Sequence, residues 1–247
     1  MILQKNIRFI MIILLMIGTP LSIVNASDTD SSLIDSYEDD ITGDGFRENI
    51  KMEGRLLSEN SSFYQKIWID VQNKFKKQWS ISLQNGYDPK LTLIDFNHDQ
   101  TFDLFYEIKK DNDQYSYQLY TLKSNKVKSL PIPKRLYTQG EFADDFKVNI
   151  RLDPHKNSNS IDMKDKKSHY IQKGIYDEDG NLLKNVETQI DPISKLEPVL
   201  ISKSKGYGLK SVQKINGAEK DDVIGTLETL WHLKKDKWII VKSEIKT

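Results

Sequence analysis

An all-β fold, mainly antiparallel, is what this sequence predicts, and three observations predict it. Apolar and polar residues alternate with a period of two over many short segments. Turn-forming pairs such as Asp179-Gly180 and Asn216-Gly217 punctuate them. No segment keeps a 3.6-residue period for long.

The segments follow in order. Residues 65–72 place Ile67, Ile69 and Val71 on one face and Lys66, Trp68, Asp70 and Gln72 on the other. Trp79, Ile81 and Leu83 repeat the pattern. Residues 91–94 and 104–108 are short apolar strands on either side of an acidic segment, and residues 115–122 alternate Tyr and Leu with polar side chains. Strands are further expected at 148–152, 169–173, 227–233 and 237–241, the last two joined at Lys235-Asp236 as a C-terminal hairpin. Residues 141–146 fit a single helical turn. Residues 153–167, rich in Lys, Asn, Ser and Asp, read as an exposed loop and a possible sub-boundary within a β-rich domain spanning 40–247.

The N-terminus carries an address. Lys5 and Arg8 precede an apolar run over 9–17, Thr19-Pro20 interrupts it, and Val24-Asn25-Ala26 offers small residues at a cleavage site. This is the pattern of a secretory signal peptide over 1–26, followed by a Ser- and Asp-rich flexible lead-in over 27–39. The alternative is an uncleaved anchor, for which the apolar stretch is short against a span of about 20 residues. The expected location is extracellular or cell-wall associated. Lys+Arg and Asp+Glu are both 36, and cleavage removes Lys5 and Arg8, leaving formal charge −2. Nothing in that balance implies a nucleic-acid partner, which would need a basic face. There is no cysteine, so neither a lipid-bearing N-terminal Cys nor a disulfide is available, and a bound metal ion is the remaining staple for a thin core.

Two acidic loops supply the chemistry for such an ion. In Asp40-Ile41-Thr42-Gly43-Asp44-Gly45-Phe46-Arg47-Glu48, side-chain oxygens fall at positions 1, 3, 5 and 9 (Asp40, Thr42, Asp44, Glu48), Gly45 occupies the sixth place, and Phe46 offers its carbonyl at the seventh. Calcium takes 6–8 oxygens, and loops of this spacing wrap it. In Asp95-Phe96-Asn97-His98-Asp99-Gln100-Thr101-Phe102-Asp103 the ligands would be Asp95, Asn97, Asp99, Asp103 and the Thr101 carbonyl. This second loop departs at Gln100, where a non-glycine must take the turn, and at His98, which brings no oxygen. The bland reading of each loop is an Asx-type turn without an ion.

These loops, with Leu93-Ile94 leading into the second, with 85–91 upstream and with Pro192 to Val199, resemble the FG-GAP or VCBS-type repeats of secreted proteins from bacilli and related Gram-positive bacteria. The resemblance implies calcium loops between strands in a propeller-like or related repeat β architecture. A third acidic loop is implied after Pro198-Val199, but the chain there reads Leu200-Ile201-Ser202-Lys203-Ser204-Lys205-Gly206-Tyr207-Gly208, with no carboxylate.

No catalytic motif stands out. His98, His155, His169 and His232 form no H-E-x-x-H, and there is neither a G-x-S-x-G elbow nor a phosphate-binding loop. Tyr115, Tyr117, Tyr120, Trp231 and Trp238 suit strand packing, or a sheet face that binds glycan. The expected function is therefore a secreted, calcium-stabilised binding or structural module of the cell surface, non-enzymatic and monomeric, with a protein or glycan ligand and no membrane span after cleavage. The alternatives are a hydrolase of envelope polysaccharide or peptide with structural calcium, and an accessory or inhibitor protein of a secreted enzyme.

Overall fold

The computed structural model describes residues 31–247, apart from 112–113, 135, 137 and 153–157, and of Gln139 it describes the backbone only. Residues 1–26, expected as a signal peptide, and His155 lie outside the described residues.

Antiparallel sheets follow one another along the chain, as the alternation requires. Sheet 1 is a meander of β1 (Ser32–Asp39), β2 (Glu48–Leu56), β3 (Tyr64–Gln72) and β4 (Gln78–Leu83). Sheet 2 repeats it with β5 (Tyr87–Ile94), β6 (Asp103–Lys109), β7 (Tyr115–Thr121) and β8 (Lys128–Leu130). A three-stranded sheet holds β9 (Gln139–Ala143), β10 (Lys147–Arg151) and β11 (Asn159–Asp162), and the short helix α1 (Lys167–Gln172) follows. The C-terminal sheet contains β12 (Gln189–Ile190), β13 (Lys195–Ser202), β14 (Gly206–Asn216), β15 (Val223–Lys234) and β16 (Lys237–Lys246), with β12 and β13 both pairing with β14.

Register explains the packing. Ile50 opposes Val71, Met52 opposes Ile69, and Ile69 opposes Ile81, so one face of sheet 1 is a continuous apolar row. That face packs on Leu91, Leu104, Tyr106 and Ile108 of sheet 2. The Tyr37 hydroxyl donates to the Leu91 carbonyl at 2.8 Å and ties the two sheets. β6 turns Phe105 the other way, onto Leu196, Leu209, Trp231 and Leu233 of the C-terminal sheet. β6 is therefore covered on both faces, which is why 104–106 is an unbroken apolar run. The far half of the C-terminal sheet, through Ile215 and Leu227, packs on Val148, Ile150 and Ile161 of the three-stranded sheet and on Tyr170. Between the two halves lies a buried polar seam, in which Gln213 donates to the carbonyls of Asp191 (2.9 Å) and Leu136 (3.3 Å) and the Trp231 indole donates to the Ser211 hydroxyl (2.8 Å).

Four expectations are corrected. Residues 32–39 are no lead-in: they form β1, because Ile34 and Tyr37 reach the first core and the backbone pairs along β2. Residues 169–172 are helical, with Lys173 as the C-cap, and form no strand. Tyr170 points inward and donates to Asp222 Oδ2 at 2.5 Å, and Gly174 at φ 65° stops the helix. Residues 141–146 make no helical turn but the end of β9 and a tight turn, with Asp145 and Phe146 at φ 63° and 52°. Within 153–167, described in part, residues 159–162 are β11, with Ile161 and Met163 buried.

Because Leu104 is fully buried between sheets 1 and 2, Leu104→Ala should destabilise the chain by about 2–5 kcal/mol. A lowered thermal midpoint with unchanged circular dichroism at room temperature is the expected reading, and an unaltered midpoint would contradict the packing.

Candidate metal sites

The two acidic loops occupy equivalent places, each joining the first strand of a four-stranded meander to the second. Their backbones match at two diagnostic points. Gly43 and Gly45 have φ of 77° and 85°, and His98 and Gln100, at the same positions of the second loop, have φ of 59° and 69°. The glycine substitution noted at Gln100 thus leaves the turn intact, with two non-glycine residues held in the left-handed region. Each costs about 1 kcal/mol or more, which the surrounding bonds must offset.

Those bonds follow one plan. The first aspartate faces back into its loop: Gly43 and Gly45 N–H donate to Asp40 Oδ1 (2.7 Å) and Oδ2 (2.8 Å), and Asp99 and Gln100 N–H donate to Asp95 Oδ1 (3.1 Å) and Oδ2 (3.0 Å). The fifth residue bonds two places on, from Phe46 N–H to Asp44 Oδ1 (2.9 Å) and from Thr101 N–H to Asp99 Oδ1 (3.0 Å). The Thr101 hydroxyl also donates to Asp99, and Asn97 Oδ1 accepts from Asp99 N–H at 3.1 Å. The ninth residue, at the start of the next strand, is buried and caps the loop from beneath. Glu48 Oε2 accepts from Ile41 N–H (3.0 Å) and Thr42 N–H (3.3 Å), while its Oε1 accepts from the Thr42 hydroxyl (3.2 Å). Asp103 Oδ2 accepts from Phe96 N–H (2.9 Å) and Asn97 N–H (3.3 Å), and its Oδ1 from the Asn97 amide (3.2 Å).

The loops differ in what the carboxylates can do together. Among the described residues, Asp40, Asp44 and Glu48 form one group whose ligand oxygens lie within 4.8 Å of one another. Each carboxylate oxygen has two lone pairs, so an oxygen that accepts one N–H can still ligate a hard cation. In the second loop Lys123 reaches the Asp99 carbonyl, and its Nζ lies 3.4 Å from Asp99 Oδ1. A lysine thus stands where a metal would otherwise supply the positive charge. The lysine is exposed and lies outside the nine-residue motif, so no reading of the motif alone finds it.

Electrostatics sharpen the picture. Burial raises the Glu48 carboxyl above its usual value, aided by the neighbouring Asp44 and Asp40 and opposed by the bonds from Ile41 and Thr42. Burial pushes Asp103 up to about 7 despite the N–H groups that stabilise its charge. Such carboxylates gain most from a cation placed against them.

The loops do not stand apart. A Cβ on Gly43 would meet the Thr101 methyl at 2.9 Å, Ser124 N–H donates to the Thr42 carbonyl at 3.0 Å, and the third loop closes as a short turn whose Gly206 lies against the His98 ring. There Lys205 N–H donates to the Ser202 hydroxyl (3.1 Å), and the carboxylates of the first two loops have no counterpart. His98 Nε2 lies 3.2 Å from His232 Nδ1, so the second loop also touches β15.

Comparison with known proteins gives a match to one domain model and a similarity to one protein. Residues 136–246 match the family model of the YybI C-terminal domain, a span covering β9 to β16 and neither acidic loop. Over 212 residues the chain is 23% identical to the uncharacterized protein YybI of Bacillus subtilis (strain 168), covering 81% of this chain and 79% of that one. No solved structure matches.

The Asp103 shift sets a pH dependence for the metal-free protein. Folded, this carboxyl holds its proton up to about 7; unfolded, it releases it near 3.8. Between those values the folded state binds more protons, so this group's contribution to stability falls as pH rises from about 4 to about 7, by at most about 1.4 kcal/mol per pH unit. Glu48 acts with the same sign. Denaturant melts in EDTA at about pH 5 and about pH 8 should show the decline, and Asp103→Asn, which cannot ionise, should flatten it. An equal slope in the variant would place the titration elsewhere.

Proposed function

We propose that this chain is a secreted, calcium-stabilised β-rich binding or structural module of the bacterial cell surface, related in design to the FG-GAP or VCBS-type repeats. One observation carries the reading: Asp40, Asp44 and Glu48 bring three carboxylates within 4.8 Å in a loop whose backbone is repeated at 95–103. The strongest site is the first loop, with Asp40, Asp44 and Glu48 as carboxylate ligands, the Thr42 hydroxyl beside them and the Phe46 carbonyl completing the ring. Calcium would supply neutralisation of charge at the foot of β2 and no reaction. The second loop, with Asp95, Asn97, Asp99, Thr101 and Asp103, is the weaker site because Lys123 competes for Asp99. The serial meanders with a loop between first and second strands support a propeller-like arrangement. Export rests on the N-terminal pattern, with cleavage after Ala26.

Calorimetric titration of calcium into the protein, beside melting curves with calcium and with EDTA, tests the reading. Tight uptake at the first loop and weaker uptake at the second are expected. Stabilisation should reach about 2.7 kcal/mol at roughly a hundredfold excess over the dissociation constant. Asp40→Ala with Asp44→Ala should abolish the tight event. No heat of binding and identical melting with EDTA would overturn the calcium assignment.

A further inference from the structure

Several turns gather at one end of the molecule. The acidic loop 40–48 and the β3–β4 turn 73–77 close the same end of sheet 1 and meet through Phe46 and Phe75, whose rings stand edge to face at 6.4 Å. The turn 122–127 joins them through Ser124 and Thr42, and through Lys123 and the second loop. The turn 202–206 joins through Gly206 against His98. The turns 73–77, 122–127 and 202–206 together carry seven lysines and no carboxylate. The two acidic loops at this end add six carboxylates (Asp40, Asp44, Glu48, Asp95, Asp99 and Asp103) and Arg47, so the balance is a modest positive excess, concentrated on the turn 73–77 with its three lysines.

The same end displays apolar rings. Phe75 is 69% exposed, Phe46 46% and Phe102 38%. Phe75 sits on a built turn: Asn73 Oδ1 accepts from Phe75 N–H (3.0 Å) and Lys77 N–H (2.9 Å), and Lys76 takes φ 64°. The Lys74 ammonium lies over the rings of both Phe46 and Phe75. Aromatic side chains held out on a fixed turn and ringed by lysines are the chemistry of an interfacial anchor. The lysines meet anionic headgroups, and the rings enter the boundary with the acyl chains. Lysines alone would suit any soluble polyanion, but the phenylalanines require an apolar phase.

From this juxtaposition we propose that the loop end docks on a bilayer surface bearing anionic phospholipid headgroups. The proposal deepens the binding-module reading by naming its partner, and it does not depend on calcium in the loops.

The absence of cysteine makes the test clean, since one introduced thiol takes one dye. Phe75→Cys places an environment-sensitive dye at the tip. Leu57→Cys places it in the β2–β3 connection at the opposite end of sheet 1, where Leu57 is exposed. The full chain is mixed with phosphatidylcholine vesicles with and without phosphatidylglycerol. A blue shift at position 75 on phosphatidylglycerol vesicles is expected, with none at 57 and none on phosphatidylcholine alone. Adding Lys74→Glu, Lys76→Glu and Lys77→Glu to Phe75→Cys should abolish the shift, with circular dichroism checking that the sheets persist. No shift at 75, equal shifts at both positions, an equal shift on neutral vesicles, or a shift surviving charge reversal would each overturn the proposal. So would binding of a soluble glycerophosphate polymer without any vesicle shift, which assigns the lysines to a polyanion. The calcium calorimetry contains no lipid, so the two readings fail separately.

Discussion

Everything at the loop end of this molecule depends on two buried carboxylates, Glu48 and Asp103. Each is the first residue of a strand and the last of a loop, and each accepts the N–H groups of the residues that open that loop. A buried N–H left without an acceptor costs on the order of 1–3 kcal/mol, so a single side chain settles the backbone of a whole turn. The residues they cap, Ile41 and Phe96, are fully buried. The carboxylate below and the apolar side chain above lock the loop between the sheet and its core. The remaining aspartates then have little freedom and hold their positions by bonds to their own loop.

That arrangement would set an ion, if one bound there, against an already built scaffold. The N–H donors that rigidify the loops also stabilise negative charge, so the loops are ordered before any cation arrives. A cation binding there would gain from this pre-organisation, because the entropy of ordering would already be spent. In the second loop a lysine on a neighbouring turn does part of the same task by reaching Asp99. In the third, the serine hydroxyls and a glycine make the turn with no charge to neutralise. The three loops thus form a graded series: converging carboxylates, a carboxylate answered by an ammonium, and a plain turn.

Much of this was legible in the sequence, and the reasons are local. Period-two alternation located β3, β4 and β15 because one face of each is buried and the other is not. The loop motif located both acidic turns because its spacing is short-range. Helix α1 was missed because one inward residue, Tyr170, beside half-buried Ile171, satisfies either period over so few residues. β1 was missed because its composition is that of a linker, and only pairing along β2 makes it a strand. Lys123 and the Phe46–Phe75 contact depend on which turns the fold brings together, and no spacing within one segment encodes that.

The core shared by sheet 2 and the C-terminal sheet has a consequence for where this chain can be divided. The match to the YybI C-terminal domain model begins at residue 136. Yet Phe96, Phe105 and Leu119 on one side of that border pack on Leu196, Leu209 and Trp231 on the other. A fragment cut at the border would carry raw apolar surface on the face that β6 now covers, and its partner would carry the matching half. Aggregation or mutual reassociation is the physical fate of such halves. The border therefore marks where the match to one domain model starts, not a joint at which the molecule comes apart into self-sufficient pieces.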